Sequence, residues 1–460
     1  MTHEMPKDFF WGNSVSSMQT EGNWSNEDGK SPSVYDIREA GPDKMDWAVT
    51  IDEYHRYEED FDLMKAMNMN MYRFQISWSR VVVDGDGEFN EAGIAYYDKY
   101  IDALIARGIE PMINLYHFDM PLALAEKYNG FLDRHVVDAF VRYGQEMIKR
   151  FGHKVKYWIT FNEHNLYFTD LAFEIGGYTK GDKTLSDLYT IFHHTMLAHA
   201  GVENFIRDNY PDLKIGGMLA YSEGYPATSK PVDVLAARKV DEFLNYNLFD
   251  MFVHGRYSNE VLTFVKNNNI DMDYRPEDDA ILGRQKSDFV SFSYYQTWTI
   301  NGDKIPAGTA PNYYLNYGGE MSRFLEANEW NWTIDPLGLR DILSKLYSRY
   351  QLPLFPIENG IGLREEWDGE NEIQDDQRIA YHRDHLAAMK DAMFEDGVPV
   401  LGYLAWGLID IPSSSGNMDK RYGAVYVNRT NDEIRDLKRV PKKSFYWFQK
   451  AFGSNGEELD

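Results

Sequence analysis

The amino-acid sequence predicts an α/β fold, a single (β/α)8 TIM barrel, and three observations predict it. Eight short runs of apolar, β-branched and aromatic residues recur along the chain. Each is followed by a longer stretch with helical periodicity and a polar face. No internal repeat, low-complexity tract or linker-like run divides residues 1–460, so the length is read as one barrel domain with inserted loops.

The strands are expected near 9–16, 70–77, 110–117, 156–163, 214–221, 288–295, 352–358 and 400–408. The helices are expected at 54–67, 91–107, 133–151, 188–207, 232–252, 337–350, 376–394 and 442–452. Gly108 and Gly152 follow two of them, as C-terminal caps do. Eight parallel strands close on themselves and leave no edge. A doubly wound open sheet is the alternative, weakened because no G-x-G-x-x-G follows any strand. The longest connections come after strands one, four, six and eight, on the C-terminal side where barrels build their sites.

Composition excludes several function classes. A formal net charge of −26 leaves no basic face for nucleic acid or an anionic membrane. With no cysteine there is no disulfide, thiolate metal site or cysteine nucleophile, and a reducing, cytoplasmic setting is expected. The opening MTHEMPKDFFWG has no long apolar run behind a basic start, so no signal peptide is expected. Aromatic residues make up 15% of the chain, enough both to fill a core and to line a groove that stacks sugar rings.

Polar side chains end otherwise apolar strands: Arg73 and Gln75, His117, Asn162 and Glu163, Tyr294 and Tyr295, Glu358 and Asn359. A carboxylate in that position is costly unless it is paired or functional. Two of them, on the fourth and seventh strands, point to chemistry. Glycoside hydrolysis needs such a pair, one group protonating the leaving oxygen while the other attacks the anomeric carbon or activates water.

FFWGNSVSSMQTEG (9–22), YRFQISWSR (72–80), NLYHFDMPLAL (114–124), TFNEH (160–164), SFSYY (291–295), IENG (357–360) and LAWGLID (404–410) together resemble glycoside hydrolase family 1 along nearly the whole chain. The resemblance implies retention of configuration, with Glu163 as acid/base and Glu358 as nucleophile. It implies that Gln19, His117, Asn162 and Trp406 line the sugar subsite, with Tyr295 near the nucleophile. Arg73 beside Glu358 is expected to keep it ionised while Glu163 stays protonated. The chain departs from the family pattern at His164, where proline is usual, and at Ser293, where asparagine is usual.

The end of the chain departs further. Family members acting on unmodified glucosides carry a glutamate after the eighth strand, and here IDIPSSSGNMDKRYG (409–423) puts Ser413 in its place. Ser413, Lys420 and Tyr422 resemble the phosphate-binding loop of the family's 6-phospho-glycosidases. The chemistry agrees, because a carboxylate would repel a sugar phosphate that a hydroxyl, an ammonium and a phenol can all bind. Ser414 in place of tryptophan, and Trp332 in EWNWTIDP (329–336), favour a 6-phospho-β-glucoside over the galactoside. The expected partner is therefore a small phosphorylated β-glucoside, with no cofactor and no metal. The aglycone and any homo-oligomer are left open.

Two other readings stand beside this one: a plain β-glucosidase, and a sugar-phosphate-binding protein that kept the barrel without its activity. His193, His194 and His199 lack metal-ligand spacing and read as helix packing. VDGDGEF (83–89) resembles a calcium loop but has Phe89 where glycine is needed, and reads as a turn.

Overall fold

The computed structural model describes residues 4–460, so the first three residues of the segment read for a leader lie outside it. The barrel strands are β1 Phe10–Ser14, β2 Met71–Gln75, β3 Glu110–Tyr116, β4 Tyr157–Phe161, β5 Lys214–Gly216 continued by Met218–Ala220, β6 Val290–Tyr294, β7 Leu354–Asn359 and β8 Gly402–Trp406. Their bounds fall within two residues of those the periodicity predicts. Parallel pairing runs from β8 through β1, β2, β3 and β4 to the first half of β5. The second half of β5 pairs with β6, and β6 with β7. Backbone bonds from Leu354 N to the Pro399 carbonyl and from Leu401 N to the Leu354 carbonyl, both 2.9 Å, close the ring between β7 and β8. The fold is thus a (β/α)8 barrel.

The break in β5 has a steric cause. A Cβ on Gly217 would come within 2.2 Å of the Phe252 ring, so the helix layer presses on the backbone at a point where only glycine fits.

Inside the barrel, Met71, Met112, Ile159, Met218, Phe289, Phe355, Ile357 and Leu404 form a separate apolar plug. Side chains on a strand alternate faces, so the inward residue two positions after Met71 is Arg73, and two after Leu404 comes Trp406. The plug supplies a dry floor for the polar layer above it.

Helices at Glu53–Ala66, Glu91–Ala106, Arg134–Phe151, Leu185–Asn209, Pro336–Tyr350, Asp376–Phe394 and Lys443–Gly453 cover the outside. The Leu185–Asn209 helix starts earlier than its apolar pattern suggests because Thr184 and Asp187 form a capping box. The stretch expected at 232–252 is one path broken into Pro231–Asp241, a π turn Glu242–Tyr246, and Asn247–His254. Of the two expected caps, Gly108 is left-handed at φ 75° whereas Gly152 stays right-handed at φ −63°. The 83–89 segment is a turn closed by Gly87 N on the Val83 carbonyl.

The three histidines sit buried in the Leu185–Asn209 helix and point to different partners. His193 bonds Tyr257 and Asp278, His194 the Phe131 carbonyl and Asp273, and His199 the Thr160 hydroxyl. Among the described residues, no helix is long and apolar enough to cross a membrane.

Unforeseen from the sequence is a small sheet of Glu223–Pro226, Thr297–Ile300 and Gly319–Glu320, built from the loops after β5 and β6. It anchors the segment carrying Trp330 and Trp332, since the Thr333 hydroxyl donates to the Thr297 carbonyl (2.6 Å) and accepts from Thr297 N (2.9 Å).

Candidate active site

A cavity of about 360 Å3 opens at the C-terminal ends of the strands, within the range of roughly 300–1,000 Å3 usual for small-molecule sites. Gln19, His117, Asn162, Glu163, Tyr295, Trp332, Glu358, Trp406, Ser413, Lys420 and Tyr422 all line it. Arg73 lies beneath the wall, fully buried, and reaches the cavity through its partners.

How each carboxylate enters the cavity is a matter of backbone. Along β7 the register against β6 shifts between Pro356 and Glu358. Ile357 belongs to the inner plug, and strict alternation would turn Glu358 outward. The bulge re-aims it inward, and it also accounts for a proline in a central strand. Glu163 follows the end of β4 with φ 43° and ψ 56°. Left-handed backbone at a non-glycine residue is a strained state held by its surroundings.

The Arg73 guanidinium organises the floor. It donates to Glu358 Oε1 at 2.5 Å, to Ser14 Oγ at 3.0 Å and to Asn162 Oδ1 at 2.7 Å. Tyr295 donates to the other oxygen of Glu358 at 3.0 Å. Because Asn162 spends its oxygen on Arg73, its amide N–H groups are left for the cavity.

Both carboxyls are pushed up, and for different reasons. Burial raises Glu358, and the charge and hydrogen bond of Arg73 with the Tyr295 bond oppose it without cancelling it. Arg73 acts in the expected direction, favouring the ionised form, but removal of water opposes it and is the larger effect. Burial also raises Glu163, to about 8, and the charge of Glu358 raises it further, against a lowering hydrogen bond from Ser293. Glu358 holds two donors, one of them cationic, so the first proton to leave the pair leaves Glu358. The charge of Glu358 in turn opposes ionisation of Glu163 across the same cavity, which separates the two groups.

The wall that carries His117 and Gln19 is neutral. Burial, aided by Arg73, holds His117 well below the usual imidazole range, so it stays uncharged. Its Nδ1 has no hydrogen-bond partner among the described residues, and its ring lies 5.6 Å from Trp406. Gln19 is more constrained than expected. Its amide donates to the Pro412 carbonyl at 2.7 Å and its oxygen accepts from Ser16 at 2.5 Å, which ties this wall to the 413–422 loop.

Within that loop the Ser413 hydroxyl accepts from Asn417 N at 3.1 Å and lies 2.8 Å from Ser415 Oγ. Lys420 is buried to 9% exposure, and burial lowers its ammonium to about 8. Leu363 and Arg421 exchange both backbone bonds, 2.8 and 3.0 Å, which fastens the loop to the chain just beyond Glu358.

Several lining residues escaped the sequence reading. Phe118, Trp330, Ser415 and Asn417 all face the cavity, and the indole N–H of Trp330 is buried without a partner among the described residues. Two positions noted only as departures prove unequal. Ser293 donates to Glu163 Oε1 at 2.6 Å, whereas His164 packs outward, 2.9 Å from Thr195 Oγ1 and 4.6 Å from the Phe161 ring. Ser293 was within reach of sequence reasoning, since it lies in β6 directly before the Tyr-Tyr pair. Trp332, expected to be a substrate-binding residue, lines the cavity, and its ring also faces Lys420.

Comparison with known proteins is consistent across methods. The family model described as glycosyl hydrolase family 1 matches residues 1–457. The chain is 39% identical to the aryl-phospho-beta-D-glucosidase BglC of Bacillus subtilis (strain 168), covering 99% of this chain and 98% of that protein. It is 38% identical to a 6-phospho-beta-glucosidase of Dickeya chrysanthemi over the full length of both. Among solved structures, a family 1 β-glucosidase from Thermotoga maritima superposes with a TM-score of 0.87 at 29% identity, covering all of both chains.

Proposed function

The chain belongs to glycosyl hydrolase family 1, and from that premise we propose that it hydrolyses 6-phospho-β-glucosides to glucose 6-phosphate and the free aglycone, with retention of configuration. The observation that carries this reading is the ammonium of Lys420. It lies in the cavity that holds the two carboxyls, and no ion pair or hydrogen bond engages it among the described residues. An unpaired buried cation is unfavourable unless an anion arrives, and a sugar phosphate supplies one. Ser413 and Tyr422 add neutral donors. The relatives named as phospho-β-glucosidases support the same substrate class.

In the first step the Glu163 carboxyl gives its proton to the glycosidic oxygen while a Glu358 oxygen bonds to the anomeric carbon. The carbon–oxygen bond breaks and the aglycone leaves as an alcohol. Glu358, now an ester, has lost its charge. That charge had raised the proton affinity of Glu163, so Glu163 falls toward a carboxylate suited to accept a proton from water. Water attacks the anomeric carbon, the ester breaks, and Glu358 returns to its ionised form. Arg73 and Tyr295 hold Glu358 in line, and Gln19, His117, Asn162 and Trp406 hold the sugar.

A phosphorylated sugar does not cross a bilayer unaided, because its charge is too costly to desolvate. The enzyme therefore works in the compartment where such sugars are kept, the cytoplasm. Residues 1–460 act as one catalytic domain.

Hydrolysis of p-nitrophenyl β-glucoside and of its 6-phosphate tests the assignment. Turnover of the unphosphorylated compound alone would leave a plain β-glucosidase, and turnover of neither would leave a binding protein. Lys420→Ala is expected to lower kcat/KM for the phosphorylated substrate by roughly 10- to 150-fold, the loss of one charge-assisted contact. An equal loss on the unphosphorylated substrate would make the loop structural.

A second prediction concerns Ser293. Its hydrogen bond lowers the proton affinity of Glu163, so Ser293→Ala is expected to move the alkaline limb of the pH–rate profile upward. A limb that stays in place, or moves down, would remove Ser293 from any control of Glu163.

A further inference from the structure

Lys420 raises a question that the phosphate assignment leaves unanswered. A long, flexible side chain in a protein of net charge −26 should find a carboxylate, yet among the described residues it finds none. Three features of its surroundings hold it apart.

The first is aromatic. Nζ lies 3.4 Å from the centroid of the Trp332 ring, with Trp330 at 5.6 Å and Tyr422 at 5.7 Å. An indole face attracts a cation through its quadrupole, and more strongly once the cation is desolvated. The second is steric. The stem crosses Gly362, where a Cβ would sit 2.7 Å from Lys420 Cγ and 2.9 Å from Cε, so the side chain has a groove with no side chain of its own. The third is electrostatic. Asp419 adjoins Lys420 in sequence and Glu329 adjoins Trp330, and Arg364 lies 3.7 Å from the first and 3.4 Å from the second. Arg364 also stacks on Trp330 at 4.5 Å. Both neighbouring carboxylates are thereby occupied.

We propose that Trp332 is a positioning residue for the phosphate site, seating the Lys420 ammonium on its indole face without a counter-ion, so that the cation is aimed and available before a phosphate arrives. This rests on the phosphate reading above and deepens it. An aromatic seat holds charge in place but, unlike a carboxylate, does not neutralise it. A Lys–Asp pair would have to be broken for each substrate bound, whereas a cation on an indole face needs only to tilt. The hairpin of residues 327–333, closed by Asn328 N on the Trp332 carbonyl at 2.9 Å and by Trp332 N on Asn328 Oδ1 at 3.0 Å, fixes the ring. The ring is also 5.5 Å from Tyr295, so a test must separate an effect through Lys420 from one through the carboxylate site.

A double-mutant cycle between Trp332→Leu and Lys420→Ala makes that separation. The readout is kcat/KM for p-nitrophenyl β-glucoside 6-phosphate divided by that for the unphosphorylated compound. Trp332→Leu is expected to lower this ratio by roughly 3- to 30-fold, mostly through KM of the phosphorylated substrate. Trp332→Phe, which keeps an aromatic face, should recover most of the loss. In the Lys420→Ala background Trp332→Leu should lower the ratio no further. A full, additive loss in that background overturns the proposal alone, because the ring would then act on the sugar directly. A Lys420→Ala variant with an unchanged ratio overturns both this inference and the phosphate loop itself.

Discussion

Glu358→Ala is expected to lower kcat for the 6-phospho-β-glucoside by at least about 10,000-fold, the scale on which removal of a covalent nucleophile acts. The argument is geometric as well as chemical. Arg73 and Tyr295 take one oxygen each of this carboxylate, and the β7 bulge turns it into the cavity. Among the described residues, no other carboxylate lines that wall besides Glu163, whose proton is already needed for the leaving group. Alanine also leaves Arg73 without its anion, and an uncompensated buried charge costs roughly 3–5 kcal/mol of stability. Glu358→Gln keeps the shape and serves as the control for folding. The space left by the carboxylate should admit a small external anion, which would attack the same face and give a product of inverted configuration. The anomer formed first, followed by proton NMR, reads this directly. A residual rate within about tenfold of wild type in both variants would take the nucleophile's role away from Glu358.

The barrel was legible because each of its strands is a short apolar run set apart from an amphipathic helix, and burial leaves that signature. The two glutamates were legible for the converse reason: a carboxylate ends an apolar run only against a cost. What escaped was information carried by backbone and by sequence-distant contacts. Nothing in FPIENG shows that the register slips at Ile357, and nothing in TFNEH shows left-handed backbone at Glu163. The balance of burial against Arg73 at Glu358 depends on how completely water is excluded, which no spacing reveals. Trp330 and Trp332 were visible as aromatics, but their relation to Lys420 joins segments some 90 residues apart through a hairpin and a loop that share no pattern. Ser293 looked like a departure from a motif, and only its 2.6 Å bond to Glu163 makes it part of the acid's environment.

Glu163→Gln should produce a loss whose size depends on the leaving group. For a sugar or alkyl aglycone, whose oxygen cannot depart unprotonated, kcat/KM is expected to fall by roughly 100- to 10,000-fold. For p-nitrophenol, which leaves readily as an anion, bond cleavage should survive far better. The second step then becomes slow, because no base remains to take a proton from water, and the enzyme accumulates as the ester with a burst of nitrophenol. The pH profile gives an independent reading. Glu163 acts in its protonated form and its affinity is raised to about 8, so wild-type activity is present below that pH and lost as pH rises through it. Lys420 loses its charge in the same region, at about 8, and would mask the effect on a phosphorylated substrate. The unphosphorylated glucoside makes no demand on the ammonium and isolates Glu163. On that substrate the alkaline limb should vanish in Glu163→Gln, and its persistence would assign the limb, and with it the proton donor, to another group.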